Sequence, residues 1–259
     1  MKKFQLIYFF LVIMVISCFE KNYSENPGES LPSIVVKELI KSSQNCNPDS
    51  GNCTYVKIEY PEFTDSARYK LNAFIYQKIR VIVSEYISEE TENGTLEHIA
   101  QTFIHDYEAF KIDFPKYNFG WYVMVKAEII YETDNIISLS MYREAFTGGA
   151  HPNSGTSFFV IDVLTNKELA ITDIVSDTTQ FKKLLENEFW KVKGMDENQS
   201  FADVGYYLNE GDFLLNNNIG LTDESVIVHF NPYEIAPYSE GATTLKLSRE
   251  KLAGILKVK

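Results

Sequence analysis

The stretch WYVMVKAEIIYETDNIISLSMYREAF, Trp121–Phe146, decides the fold class. Both halves alternate apolar and polar residues with the period of a half-buried strand, and Thr133-Asp134-Asn135 between them is turn chemistry. The spacing predicts a long antiparallel hairpin.

Working outward, the second strand of the hairpin runs into Thr147-Gly148-Gly149-Ala150-His151-Pro152-Asn153. A strand over Ser157–Val163 follows, then a tight turn at Leu164–Lys167 and a helix over Thr179–Val192 with Phe181, Leu184, Leu185, Phe189 and Val192 inward. The last third predicts strands near Phe213–Leu215 and Val226–Phe230, an extended proline-bracketed segment, and a strand TTLKL. Ser248 then caps a short terminal helix carrying Leu252, Ile255 and Leu256. On the other side of the hairpin, Tyr55–Tyr60 reads as a strand that stops at Pro61. Thr64 and Asp65 are N-cap candidates for a helix to about Ser88, with Leu71, Ile75, Ile79, Ile82, Val83 and Tyr86 along one side. A second helix follows Asn93-Gly94-Thr95, where Leu96, Ile99, Ala100, Phe103, Ile104, Tyr107 and Phe110 recur at helical offsets. Helices and hairpins segregated along the chain, without β-α-β alternation, predict an α+β fold with an antiparallel or mixed sheet and flanking helices. A boundary around Pro115 and Gly120 divides it into a helix-rich subdomain, residues 34–118, and a sheet-rich subdomain, residues 119–259, closely packed.

The chain opens MKKFQLIYFFLVIMVISC. Two lysines and a short apolar run suit a secretory leader rather than a membrane span, so residues 1–17 are expected to be a signal peptide. Val15-Ile16-Ser17-Cys18 resembles a bacterial lipobox, which implies a lipid on Cys18; the other reading is ordinary cleavage near Ser17. Residues 18–33 are polar, with prolines and a glycine, and read as a tether. The expected location is therefore the bacterial cell envelope, on the extracytoplasmic side of a membrane. The formal charge of -12 disfavours nucleic acid and anionic lipid and attracts basic proteins without specifying one.

Cys46 and Cys53 flank Asn-Pro-Asp-Ser-Gly-Asn, nearly all turn formers. In an exported protein this spacing predicts a disulfide closing a small loop, worth about 2–3 kcal/mol. A zinc site would need further ligands, and the four histidines are scattered. His98 and His105 share a helix but stand about 10.5 Å apart, too far to chelate one ion. His229 alternates with Val228 and Phe230 and falls on the more polar side of its strand. No metal and no cofactor are expected.

Gly149–Ser157 imitates a phosphate loop, but five residues separate its glycines and Thr156 stands where the lysine is needed. His151 is the natural candidate for acid–base chemistry or metal binding, since imidazole titrates near neutral pH. Proton transfer needs a positioned partner, and neither a Gly-x-Ser-x-Gly elbow nor a His-Glu-x-x-His pair occurs in the chain. Pro152 restricts His151 to extended backbone, which suits a ring held in a rigid turn. No catalytic residue is assigned.

The order YREAFTGGAHPN, then FFVIDVLTNKELAITDIV, then HFNPYEIAPYSEGATTLKLSREKL resembles the extracytoplasmic domain of RsiV-type anti-sigma factors. The same domain precedes the catalytic domain of PdaC-type peptidoglycan deacetylases. The resemblance spans roughly Tyr55–Leu256. It implies a binding surface around Thr147, Gly148, Gly149, His151, Pro152 and Asn153, with Tyr233 and Tyr238. In RsiV-type proteins the domain binds lysozyme. The Asp-Asp-Gly type motif that marks the PdaC catalytic domain is absent here, as is a sigma-binding segment. The expectation is a lipid-anchored, noncatalytic binding module recognising a muramidase-like protein or peptidoglycan. A glycan-modifying enzyme using His151 and a carboxylate, and a structural or assembly lipoprotein, are the alternatives.

Overall fold

The computed structural model describes residues 33–43, 46–48, 52–88, 94–196, 199–208 and 213–258. The expected leader and Cys18 lie outside these residues. Two strands open the fold, β1 (Ile34–Ser42) and β2 (Tyr55–Phe63), paired antiparallel. The chain between them is closed by the Cys46–Cys53 disulfide. Helices α1 (Leu71–Ser84) and α2 (Leu96–Asp113) follow. Then comes the hairpin of β3 (Tyr122–Glu132) and β4 (Ile136–Phe146), with Thr133 Oγ accepting from Asn135 and Ile136 in its turn. Strand β5 (Asn153–Asp162) and the two-residue β6 (Lys167–Glu168) complete a sheet ordered β1-β2-β3-β4-β5-β6. It is mixed, because β2 and β3 run parallel while the other neighbours are antiparallel. The sheet thus takes strands from both sides of Pro115–Gly120.

The periodicities that predict α1 and α2 are the ones that fold. Leu71, Ile75, Ile79, Ile82 and Val83 of α1 and Leu96, Ile99, Ala100, Phe103 and Ile104 of α2 are buried. They pack against one face of the sheet, on Val56, Ile58, Val123, Val125, Leu139 and Met141. Each large side chain so buried contributes about 1.5–3 kcal/mol. Thr95 caps α2, accepting from His98 N at 3.2 Å.

Among the described residues, the second core covers the opposite face of the sheet at one end. There Ile136 and Val160 meet α3 (Ile171–Ile174), α4 (Thr178–Lys193) and a second sheet, β7 (Ile219–Leu221), β8 (Ser225–Phe230) and β9 (Thr243–Ser248), in the order β7-β8-β9. Its core is aromatic: Phe189 contacts Trp190, Phe201, Tyr206 and Phe213, and Phe213 contacts Phe230. The α+β class, the mixed sheet and the flanking helices are as the sequence predicts.

Several element boundaries differ from expectation, each for a physical reason. β2 does not stop at Pro61. The odd residues of β2 face β3, as Tyr55 N donating to Trp121 O shows, and pairing with β3 ends at Glu59. The missing N–H of Pro61 therefore points where no strand partner remains. Asp65 caps a turn, accepting from Ala67 N and Arg68 N, and α1 begins only at Leu71. Strand β5 starts at Asn153 rather than Ser157. On α4, Val192 is exposed and Trp190 is buried instead, stacked on Phe201 at 4.5 Å just before Gly194 turns the chain away. Phe213–Leu215 is not a strand, although Phe213 is fully buried; β7 takes the place beside β8 because the Thr222–Ser225 turn sets that register. After Ser248 the chain forms successive turns rather than a helix, with Leu252 and Ile255 buried. His229 is buried, because β8 is the middle strand of its sheet and is covered on both faces.

Candidate functional site

The hairpin loop Thr147–Pro152 joins β4 to β5. Gly148 and Gly149 adopt φ of 102° and 112°, which L side chains rarely reach. At Gly148 there is a second reason, since a Cβ would stand 3.2 Å from the Tyr117 hydroxyl. Thr147, Gly149, His151 and Asn153 are exposed, and Asn153 pairs with Ala145 as the first residue of β5.

The structure brings this loop against the segment Asn231–Tyr238. Ile235 and Ala236 are buried in the second core and anchor the segment, leaving Tyr233 and Tyr238 outward. His151 stacks on Tyr238 with ring centroids 4.0 Å apart and planes 16° from parallel, and Tyr238 lies 5.4 Å from Tyr233. His151 Nδ1 is 2.8 Å from the Pro152 carbonyl, so that nitrogen carries the hydrogen and donates. Tyr233 has φ of 71°, a strained conformation for a bulky residue that the buried anchors impose. The candidate residues His151, Pro152, Tyr233 and Tyr238 therefore meet at one exposed aromatic flank. His151 bonds a carbonyl and stacks on a phenol; neither contact is the carboxylate that acid–base catalysis would need.

Beside the loop, the end of the sheet away from the second core carries a row of half-buried rings. Tyr55, Tyr122 and Phe146 are direct cross-strand partners, with successive centroids 5.5 and 6.2 Å apart. With Phe119, His151 and Pro152 they line a cavity of about 420 Å³. A second cavity, of about 370 Å³, lies on the Tyr238 side and is lined by Tyr142, Ser154, Thr156, Asn231 and Ser239 among others. Glu144 links the two regions: one carboxylate oxygen accepts from Tyr122 at 2.7 Å and the other from Tyr142 at 2.6 Å. Burial first, then the hydrogen bond and charge of Glu144, push the Tyr142 phenol up to about 12 and raise that of Tyr122 as well.

Two asparagines weld the second sheet to β5. Asn218 accepts from Phe158 N at 2.7 Å and donates to Thr156 O at 2.8 Å; Asn231 accepts from Thr156 N at 2.6 Å. Gly155 leaves the room for this, since a Cβ there would meet Asn231 Oδ1 at 2.9 Å. His98 and His105 are exposed on α2, and His229 bonds Thr244 through Nδ1 at 2.8 Å. Among the described residues, no group of three or more His, Cys, Asp or Glu side chains converges as a metal site, and no helix is long and apolar enough to cross a membrane.

Residues 49–154 match the family model described as deacetylase PdaC, and residues 165–250 match the one described as a protein of unknown function, DUF3298. The chain carries the PdaC and DUF3298 regions in tandem. The first match ends at the start of β5 and the second begins just after that strand, so the first core falls largely in the PdaC region and the second in the DUF3298 region. A crystal structure of a DUF3298 family protein from Pseudomonas aeruginosa PAO1 superposes with a TM-score of 0.62 at 20% identity, covering 88% of this chain and 95% of that one. A DUF3298 family member from Bacteroides fragilis NCTC 9343 gives 0.66 at 18% identity, covering 87% and 94%. These structures share the fold. No curated protein matches the chain.

Sequence reasoning missed Asn218, Asn231 and the Tyr122–Glu144–Tyr142 bridge. Only the last left a signal, because Tyr122 and Met124 on β3 share the outward parity of Tyr142, Glu144 and Phe146 on β4.

Proposed function

We propose that the chain is a noncatalytic binding module of the cell envelope, tethered to a membrane by a lipid on Cys18, that docks a muramidase-like protein on the flank of the glycine loop. The observation that carries this reading is the exposed stack of His151, Tyr238 and Tyr233, held outward by the buried Ile235 and Ala236. Tyrosines on rigid backbone supply contact area at low rotamer cost, and such residues dominate binding energy in protein interfaces. The formal charge of -12 favours encounter with a basic partner.

Calorimetry with lysozyme tests this at low salt and at 1 M salt, where the Debye length shrinks to about 3 Å. Binding that persists at 1 M and weakens about tenfold or more in Tyr233→Ala and in Tyr238→Ala is expected. Binding that vanishes with salt, or ignores both substitutions, removes the proposal. The tether is tested separately by metabolic labelling with a fatty acid, which Cys18→Ser should abolish.

A further inference from the structure

The cavity on the Tyr238 side has a composition that selects its ligand. Its volume of about 370 Å³ falls in the range of small-molecule sites. Two aromatic rings border it, Tyr142 at 40% exposure and Tyr238 at 37%. The remaining polar lining is hydroxyl and amide: Ser154, Thr156, Ser239 and Asn231, with His229 beyond them. No lysine or arginine is among its lining residues; the Arg143 guanidinium stands behind the lining residue Gly155, so the lining itself offers an anion hydroxyl and amide groups only. No aspartate or glutamate is among its lining residues either, and the nearby Glu144 is engaged by Tyr122 and Tyr142.

A peptide added as a strand is also disfavoured. The edge of β5 beside the cavity has its Thr156 and Phe158 N–H groups taken by the Asn231 and Asn218 side chains. A strand-adding segment needs those groups unpaired. What remains is a ligand with apolar faces for the rings and uncharged hydroxyls for the rim.

We infer that this cavity binds one ring of an uncharged carbohydrate, with Tyr142 and Tyr238 as apolar walls and Ser154, Thr156 and Ser239 as hydroxyl partners. The walls are held before binding, which lowers the ordering cost. Tyr142 is fixed by Glu144 at 2.6 Å, Tyr238 by the His151 stack at 4.0 Å, and Asn231 by Thr156 N at 2.6 Å and Glu234 at 3.1 Å. The inference shares Tyr238 with muramidase docking but does not use Tyr233, so Tyr233→Ala separates the two readings.

The test is an amide chemical-shift titration of the full chain with two neutral oligosaccharides, chitotetraose and cellotetraose, and with a sulfated tetrasaccharide as anionic control. Saturable shifts centred on Ser154–Thr156 and Ser239–Ala242 are expected with at least one neutral sugar and not with the control. Tyr142→Ala should weaken that binding at least about tenfold, and Tyr233→Ala should leave it within about twofold. The unsubstituted chain's shift map decides alone if Tyr142→Ala fails to fold. Absence of saturable shifts up to about 10 mM sugar, shifts centred elsewhere, or preference for the sulfated probe would overturn the inference.

Discussion

Replacing Asn231 with alanine should loosen the joint between the second sheet and β5, and most of its cost follows from three bonds, to Thr156 and Glu234, beside its contact with His229. The Asn231 amide accepts from Thr156 N at 2.6 Å and donates to Thr156 O at 3.2 Å and to Glu234 at 3.1 Å. The Thr156 carbonyl keeps Asn218 as a second donor at 2.8 Å, so the group stranded by the change is the Thr156 N–H. An unsatisfied donor of this kind costs about 1–3 kcal/mol, and each lost hydrogen bond about 0.5–1.5 kcal/mol net. Water reaching the N–H from the cavity offsets part of this, leaving an expected loss of about 2–3 kcal/mol. In urea, with a slope on the order of 2–3 kcal/mol/M, the midpoint should fall by about 1 M at unchanged slope. Fluorescence can follow each core, since Trp121 packs on the first and Trp190 lies in the second. Asn218→Ala should be non-additive with Asn231→Ala, because both amides donate to the same Thr156 oxygen. A midpoint shift below about 0.2 M, or strictly additive losses, would refute the account of the joint.

Other outcomes test the loop, the disulfide and the buried imidazole. Gly149→Ala should cost about 2 kcal/mol although its Cβ meets nothing, because φ of 112° lies outside the left-handed well; Gly194→Ala, with φ of 63° and equal room, should cost about 1 kcal/mol. Thermal melts that reverse this order would show that the loop relaxes freely. Cys46→Ser with Cys53→Ser should lose about 2–3 kcal/mol, and a reductant should reproduce the loss in the parent chain but not in the variant. Burial holds His229 below the ordinary imidazole pKa, outweighing its Asn231 hydrogen bond and the Glu234 charge. The unfolded chain then takes up that proton first, so stability should fall as pH drops through about 6.5 and level off below the folded-state value. His229→Gln should flatten this part of the curve, and an unchanged slope between pH 7 and 5 would assign it to other groups.

Local periodicity made much of the architecture legible. The β3–β4 hairpin and the inward faces of α1 and α2 could be read because each places its apolar residues at its own repeat, and burial followed that repeat. The disulfide was legible because turn formers fill a short interval between two cysteines. β1 was not, since most of Ile34–Ser42 is exposed and its strand identity comes from pairing with β2. Val192 and Trp190 exchanged places because stacking on Phe201, a partner beyond the end of the helix, outweighed the helical stripe.

The sequence by itself determined the β3–β4 hairpin, the three longer helices and the glycine turn after β4, because turn chemistry and side-chain period act over a few neighbours. Only the tertiary structure decided that β2 runs parallel to β3, that the second core meets the sheet at one end, and that His151 lies on Tyr238 across 87 positions of chain. Those outcomes depend on long-range pairing and on which buried residues anchor which loop. Asn218 and Asn231 show why they escape a reading along the chain: an asparagine looks like an ordinary turn former until the strand edge it satisfies is brought beside it.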